Sequence, residues 1–590
     1  MIYNSKDAAH KTPYGAVERG ALVRFCVYIS DEAAYRDRPG INLVIAKEHC
    51  HEEKVKGAEN GGKYAFEWRG ETTGYYTYHF EAEYADGGRE KTSPQQLTVY
   101  EREEEPPNWL SEGVMYQIFP DRFAKSEEYI APVSTKKHTI HERWGEPPAS
   151  GPDENGIVWN NDFFGGNIKG IIEKLDYLKG LGVTVVYLNP VFEAFSNHRY
   201  DTSDYLKIDP MLGTEADFTN LCDEAAARGM RVVIDGVFNH TGSDSVYFNK
   251  YKNYKSIGAC QGKDSPYYSW YNFISFPDVY ESWWGIDTLP QINEKDRSYI
   301  DFIVRNDDSV IRHWLRAGVS GVRLDVVDEI PDIFLDELRV AVKEEKKDAM
   351  IIGEVWEDAS NKIAYGERRR YFQGKQLDSV MNYPLKDAII KYLGYDHNAE
   401  WFSGTVEGLR ENYPAHTFNS LMNMLGTHDT KRILTVFKES SWTYEEARQK
   451  LFSALLIWAF MPGIPCIYYG DELGMEGGAD PFNRQCFCPE NKNGEIAVYF
   501  KRLLNFRKAI DGINKMQYVP GEARGGYFSF ERRGETHRIH VSINDRNDRK
   551  RISFPGEAVQ DFVISGMVDF TGDKTFEMHE KSGIAVLTRR

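Results

Sequence analysis

Eight short apolar runs, separated by stretches long enough for crossover helices, occupy the middle of this chain and restrict its fold more than any other feature. They read VMYQIFP (114–120), VTVVYLN (183–189), RVVIDGVF (231–238), GVRLDVV (321–327), MIIGEVW (350–356), LDSVMNY (377–383), LMNMLGTHD (421–429) and PCIYYGDE (465–472). Strands apolar on both faces belong to parallel sheets covered by helices. Amphipathic segments at 168–182 and 215–229, and a helix around 496–511, supply such cover. Eight units of this kind fit a closed (β/α)8 barrel, an α/β fold, with an open doubly wound sheet as the alternative that pattern alone leaves standing. The third unit carries an oversized insertion, placed at about 241–298.

The flanks have a different texture. Between about 20 and 100, short β-type runs (ALVRFCVYIS, INLVIAK, KYAFEWRG, GYYTYHFEAEY, QQLTVYE) alternate with turns, which predicts an N-terminal β-sandwich over 1–103. The charged, proline-bearing EREEEPPNW (101–109) reads as a linker into a barrel domain at 110–512. Beyond it, YFSFERR, HRIHVSI, DFVISGM and IAVLTRR predict a small C-terminal β-sandwich at 513–590.

Bulk properties narrow the functional classes. A chain of 590 residues exceeds one hydrophobic core. A net charge of −18 argues against nucleic acid or an anionic membrane as partner, and is compatible with a neutral ligand. No segment approaches the roughly 20 apolar residues that span a bilayer. MIYNSKDAAHKTPYG shows no basic stretch leading into an apolar run, so no signal peptide is expected. The seven cysteines are odd in number and scattered, which suits a reducing compartment and a cytoplasmic protein. Cys486 and Cys488 form a C-x-C without a second pair and read as free thiols.

In a barrel, polar groups at the C-terminal ends of apolar strands face one mouth. The third run ends Asp235-Gly-Val-Phe-Asn-His240, the fourth reads Arg323-Leu-Asp325, the fifth Gly-Glu354-Val-Trp356, and the seventh Gly-Thr-His428-Asp429. Unpaired carboxylates are expensive to bury, so each needs a partner or a purpose. Three of them around one rim suggest acid–base or nucleophilic work on an acid-labile bond. Arg323, two residues before Asp325, shares its face and is expected to keep it ionised, as a nucleophile requires. Glu354 must hold a proton to serve a leaving group, and neighbouring charge and Trp356 are expected to favour that. Such a pair describes glycoside cleavage, with retention if the carboxyls stand about 5–5.5 Å apart.

The blocks DGVFNH (235–240), GVRLDVVDE (321–329), GEVW (353–356) and GTHD (426–429) resemble, in order and spacing, the signature of the α-amylase family of glycoside hydrolases. The likeness runs through YQIFPDRF (116–123), LNPVFEAFSNHRYDTSDYLKIDP (188–210) and YYGDELGMEGGADPFNR (468–484), covering about 114–510. It implies Asp325 as nucleophile, Glu354 as general acid/base and Asp429 as the group that binds hydroxyls and distorts the ring. It further implies that Arg323, His240 and His428 hydrogen-bond the sugar and that Tyr200 stacks beneath it, with Asp201 supporting that loop. Asp480 and Arg484 would limit the site one sugar further out, and Trp356 would line the leaving-group side.

SNHRYDTSDY and GMEGGADPFNR look most like the neopullulanase, cyclomaltodextrinase and maltogenic amylase branch, whereas ESWWGIDTLP (281–290) looks closer to amylopullulanases. The branch implies cleavage of α-1,4 bonds, in some members also α-1,6 bonds, in maltooligosaccharides, cyclodextrin or pullulan, with glycosyl transfer as a companion reaction. It also implies a homodimer through the N-terminal domain, which would cap a partner's cleft or, as the alternative, bind glucan. A starch-acting α-amylase or amylopullulanase is the sibling reading, and a non-catalytic glucan-binding protein the reading from another class. No cofactor is expected. GVRLDVVDE lacks the Lys-His ending of calcium-dependent relatives, and RFAKSEEY and Gly-Gly-Asn167 replace the residues of a second calcium site.

Overall fold

The computed structural model describes every residue except 30–37, 102–106, 108, 133–136, 153–157, 396, 492–493, 555, 573 and 590. The linker expected at 101–109 falls largely outside the described residues.

All eight apolar runs form parallel strands: β1 (Met115–Ile118), β2 (Val185–Leu188), β3 (Arg231–Gly236), β4 (Gly321–Leu324), β5 (Met350–Gly353), β6 (Ser379–Val380), β7 (Met422–Met424) and β8 (Ile464–Tyr468). Their hydrogen-bonded order is β6-β5-β4-β3-β2-β1-β8-β7. A parallel bridge between Met381 and Met422 joins the two ends, and Asn382 N–H donates to Met422 O at 2.8 Å. This closure gives the barrel and removes the open-sheet alternative. Met115, Val185, Tyr187, Val233, Met350, Ile352, Met422 and Ile464 pack in one buried cluster. Flexible methionines fill the irregular interior that a closed barrel leaves.

The strands are shorter than the apolar runs for local reasons. The run 377–383 gives only Ser379–Val380, because Asn382 caps the next helix (Tyr383–Gly394), its side chain accepting from Leu385 N, with a proline in the first turn. The helix expected at 168–182 is two pieces, Ile168–Glu173 and Leu175–Gly180. They join at Lys174, whose N–H bonds the carbonyls of Ile171 and Ile172. The 215–229 helix forms as Glu215–Ala227, closed by a capping box between Thr214 and Asp217.

The insertion after β3 contains little regular structure: a hairpin of Phe273–Ser275 with Val279–Tyr280 and short helical turns. Aromatic contacts hold it, among them Tyr247 with Trp270 at 5.3 Å and Phe248 with Tyr271 at 4.8 Å. At the far end of the chain, a five-stranded antiparallel sheet and a three-stranded one enclose Tyr527, Phe576, Met578, Ile584 and Val586.

A separate compact unit consists of 1–106 with 357–378 and 404–419. Its two sheets, antiparallel apart from the parallel pairing of Val17–Glu18 with Gln95–Tyr100, share a core of Phe25, Phe66, Trp68, Tyr78 and Phe80. The strand Lys63–Arg69 shows the cause: its residues alternate strictly between exposed and buried, as a strand with one wet face must.

Candidate active site

The strand register assembles the site. Asp235 on β3 lies beside Arg323 on β4. Asp325 follows β4, its N–H bonded to Gly236 O, and Glu354 follows β5, its N–H bonded to Leu324 O. Arg323 thus stands under the mouth of the barrel with no solvent exposure. Its Nη1 donates to Asp235 Oδ1 and to Asp325 Oδ1, both at 2.7 Å, and its Nη2 lies 3.0 Å from Glu354 Oε2.

Between those two carboxylates the chain makes a forced turn. Val326 adopts φ 39°, ψ 48°, a left-handed conformation that costs a β-branched residue about 1–3 kcal/mol. The turn aims Val326 N–H at Glu354 Oε2, 2.9 Å away. Glu354 Oε1 accepts from Trp356 Nε1 at 3.1 Å, while the Trp356 ring stacks on Tyr383 at 4.0 Å. Trp356 thus meets the carboxyl with its polar edge, because Tyr383 holds the ring face.

A second cluster closes the other side. Tyr200 OH donates to Asp235 Oδ2 (2.8 Å) and lies 2.6 Å from His428 Nε2, with the two rings parallel at 5.3 Å. The amides of Gln117 and Asn189 approach His428 Nδ1 at 2.9 and 3.2 Å. With donors on Nδ1, the ring carries its proton on Nε2, directed at Tyr200 and at Asp429 Oδ2 (3.1 Å). Arg484 spans Asp429 (3.3 Å) and Asp480 (3.0 Å) and donates from Nε to His428 O. His240 is buried and stacks on Trp283 at 5.3 Å. Asp201 accepts from the N–H groups of Phe195 and Ser196, tying back the loop that presents Tyr200.

The charges are unbalanced by design of the site. Three carboxylates share one guanidinium, so a proton retained within the cluster is favoured. Burial pushes Asp325 well above the usual carboxylate range; Arg323 pulls it down, and Glu354 and Asp235 add to the rise. Arg323, expected to keep Asp325 ionised, is divided among three carboxylate partners. Burial likewise raises Asp235, which Arg323 opposes, and Asp429, which Arg484 opposes. Burial lowers His240 to about 4, against a weaker pull from the Tyr200 backbone, and lowers His428 well below the usual histidine value, assisted by Arg484.

A family profile described as alpha amylase, catalytic domain, matches residues 117–496. The chain belongs to the alpha-amylase family. It is 37% identical over 548 residues to the amylopullulanase of Thermoanaerobacter thermohydrosulfuricus, covering 82% of this chain and 36% of that protein. It is 32% identical over 472 residues to the cyclomaltodextrinase of Geobacillus thermopakistaniensis strain MAS1, covering 78% of this chain and 73% of that one. Among solved structures, the type III pullulan hydrolase from Thermococcus kodakarensis superposes with a TM-score of 0.70 at 26% identity, over 100% of both chains. The chain spans about a quarter to a third of the length of the amylopullulanases it matches.

The alpha-amylase framework thus brings together Tyr200, His240, Arg323, Asp325, Glu354, Trp356, His428, Asp429, Asp480 and Arg484, all on loops or strand ends of the barrel. Asp235 stands at a strand end with no role implied by the sequence, and Gln117, Tyr187, Asn189, Trp283 and Tyr383 lie outside the four signature blocks. Tyr187 OH donates to Asp235 Oδ2 at 2.8 Å. A polar residue at an inward position of a buried strand, such as Gln117 on β1 or Tyr187 on β2, was the available signal.

Among the described residues no three His, Cys, Asp or Glu side chains are arranged to hold an ion. Asn167 is committed elsewhere, its Oδ1 accepting from Gly170 N and Ser126 N and its Nδ2 donating to Ser126 O.

Proposed function

We propose that this chain is a retaining glycoside hydrolase that cleaves α-1,4-glucosidic bonds in maltodextrins, cyclodextrins or pullulan, with α-1,6 bonds as the second linkage and glycosyl transfer as a companion reaction. The observation that carries the reading is the placement of Asp325 and Glu354 on one guanidinium, Arg323.

In this mechanism Asp325 attacks the anomeric carbon while Glu354 gives its proton to the departing oxygen, leaving a glycosyl ester on Asp325. Glu354, now a base, takes a proton from water or from a second sugar, and that oxygen displaces the ester with net retention. Val326 N–H and Trp356 Nε1–H fix the Glu354 carboxyl in place. Asp429, His428 and His240 hold the hydroxyls of the ring being cleaved, above Tyr200. Arg484 and Asp480 meet the next ring outward.

A second reading, an amylopullulanase acting on longer polymers, is favoured by ESWWGIDTLP (281–290) and by the 37% identity to a protein of that name. Product profiles on β-cyclodextrin, pullulan and soluble starch at equal mass decide between them, with Asp325→Asn as the blank. Fast ring opening with slow starch attack supports the first reading; starch cleaved fastest with the ring intact supports the second. No turnover of any α-glucan removes both.

We further infer a cytoplasmic homodimer assembled through the N-terminal domain. Support for the compartment is that all seven cysteines are free thiols. No helix among the described residues is long and apolar enough to cross a membrane. Light scattering tests the assembly: a strict monomer that still prefers cyclodextrin sinks it.

A further inference from the structure

Trp442 is 98% exposed, more than any other large apolar side chain among the described residues. It stands between two helices of the barrel, α1 (Ile433–Glu439) and α2 (Tyr444–Phe460). Its backbone is pinned: Trp442 N–H donates to Glu446 Oε2 at 3.0 Å, and Glu446 N–H donates to the capping Thr443 Oγ1 at 3.1 Å. A hydrophobic residue just before a helix cap ordinarily folds down onto the first turn as a staple. Here it does not, and the indole makes no ring contact and no side-chain hydrogen bond among the described residues. The indole therefore contributes little to the fold, and a large apolar plane stands in water on a pinned backbone.

The surroundings narrow what such a plane can take. The Tyr444 ring beside it is 40% exposed. Lys438 lies 5.9 Å over that ring and pairs with Glu476 at 2.6 Å. The patch thus offers ring faces edged by paired donors and acceptors without a net charge of one sign. That suits a neutral polyhydroxylated ligand, whose C–H faces stack on aromatic planes while its hydroxyls meet charged groups. Glu476 belongs to the loop that runs on to Asp480 and Arg484, and that loop is fastened to the first of the two helices: Gly477 N–H donates to Thr435 Oγ1 at 2.8 Å, and Arg432 N–H to Gly477 O at 3.0 Å. The loop that carries Asp480 and Arg484 and the helix that precedes Trp442 are therefore joined by hydrogen bonds.

We propose that Trp442, with Tyr444, is an auxiliary holding site for α-glucan chains outside the cleft. The inference rests on the reading that the cleft acts on α-glucans. A chain longer than the cleft would be held at Trp442 and in the cleft together, raising the effective concentration of polymer and leaving short substrates unaided.

The test combines binding and turnover. In the Asp325→Asn background, which removes chemistry, mobility in native gels containing soluble starch should show about fivefold weaker retention for Trp442→Ala, and recovery for Trp442→Phe. With Asp325 intact, Trp442→Ala should lower the ratio of kcat/KM on starch to kcat/KM on maltotriose by a similar factor. Equal retention by Trp442→Ala and its parent, or an unchanged ratio, overturns the proposal. So does a lower oligomeric mass for Trp442→Ala with retention unaltered, because the indole would then face a second copy of the chain. Failure of the cleft reading is separate: it would appear as absence of turnover with starch retention intact.

Discussion

Arg323 touches Asp325 at 2.7 Å and leaves its second amino group 3.0 Å from Glu354, so one guanidinium sets the relative placement of the two carboxyls on which the proposed chemistry depends. A lysine could match the charge but not the fork. Arg323→Lys is expected to lower kcat/KM on maltotriose by about 10²–10³, the scale seen when one preorganised donor is lost. Arg323→Met, which leaves three buried carboxyls without a cation, is expected to cost about 3–5 kcal/mol in urea unfolding. Full activity in the lysine variant would contradict this account of the site.

Burial of His240 should contribute stability that is lost on acidification. His240 drops from an ordinary 6.5 to about 4 on folding, through burial. A depressed group contributes stability that is present above its unfolded value and is lost as pH falls through the folded one. Between pH 6.5 and about 4 the unfolded chain takes up the proton first, at a cost approaching about 3 kcal/mol. Asp235, Asp325 and Asp429, raised by burial, act with the opposite sign, since their contribution is lost as pH rises. Comparison with His240→Gln therefore isolates the histidine: urea unfolding at pH 7 and pH 4.5 should differ less in the variant. An identical pH dependence in both would refute the assignment.

The barrel was legible because its strands are buried on both faces and announce themselves as continuous apolar runs. Where strands stop was not, since a side-chain cap such as Asn382 outcompetes the apolar run that follows Val380. The carboxylates at the site were legible for a related reason: Asp325, Glu354 and Asp429 are polar groups where apolar strands end. Their supports were harder to see. Tyr383 begins a helix and Trp283 lies in the irregular insertion, and only tertiary packing sets them against Trp356 and His240. The division of Arg323 among three carboxylates depends on the register between β3 and β4, which no local pattern encodes.

A buried cation without a carboxylate fixes the C-terminal sheet to the barrel. Arg532 donates to Phe460 O (3.0 Å), Ile513 O (2.8 Å) and Met516 O (2.9 Å). Phe460 is the last residue of its helix, so the guanidinium meets the negative end of the helix dipole. Burial lowers Arg532 to about 10, and lowers Arg507 to about 9 with the Arg532 charge adding to it. Arg532→Met should destabilise the protein by about 3 kcal/mol, through orphaned carbonyls. Arg507→Met, which relieves a like-charge neighbour, should cost less. Urea midpoints of the two variants test the order; the reverse ranking would be evidence against it.

Removal of divalent ions should change nothing. With Asn167 engaged on backbone groups, the chain is proposed to work without calcium. Dialysis against a chelator is expected to leave both thermal unfolding and maltotriose hydrolysis unaltered, and a loss restored by added calcium would reverse the proposal.

The most direct test of the central claim is to trap the covalent intermediate. Glu354→Gln lacks the base that activates water, so α-maltosyl fluoride, whose departure needs no proton, should glycosylate the protein faster than it is released. Intact-mass measurement should show one added maltosyl group, and peptide mapping should place it on Asp325. An unmodified protein that still releases fluoride, or an adduct on any other residue, would contradict Asp325 as the nucleophile.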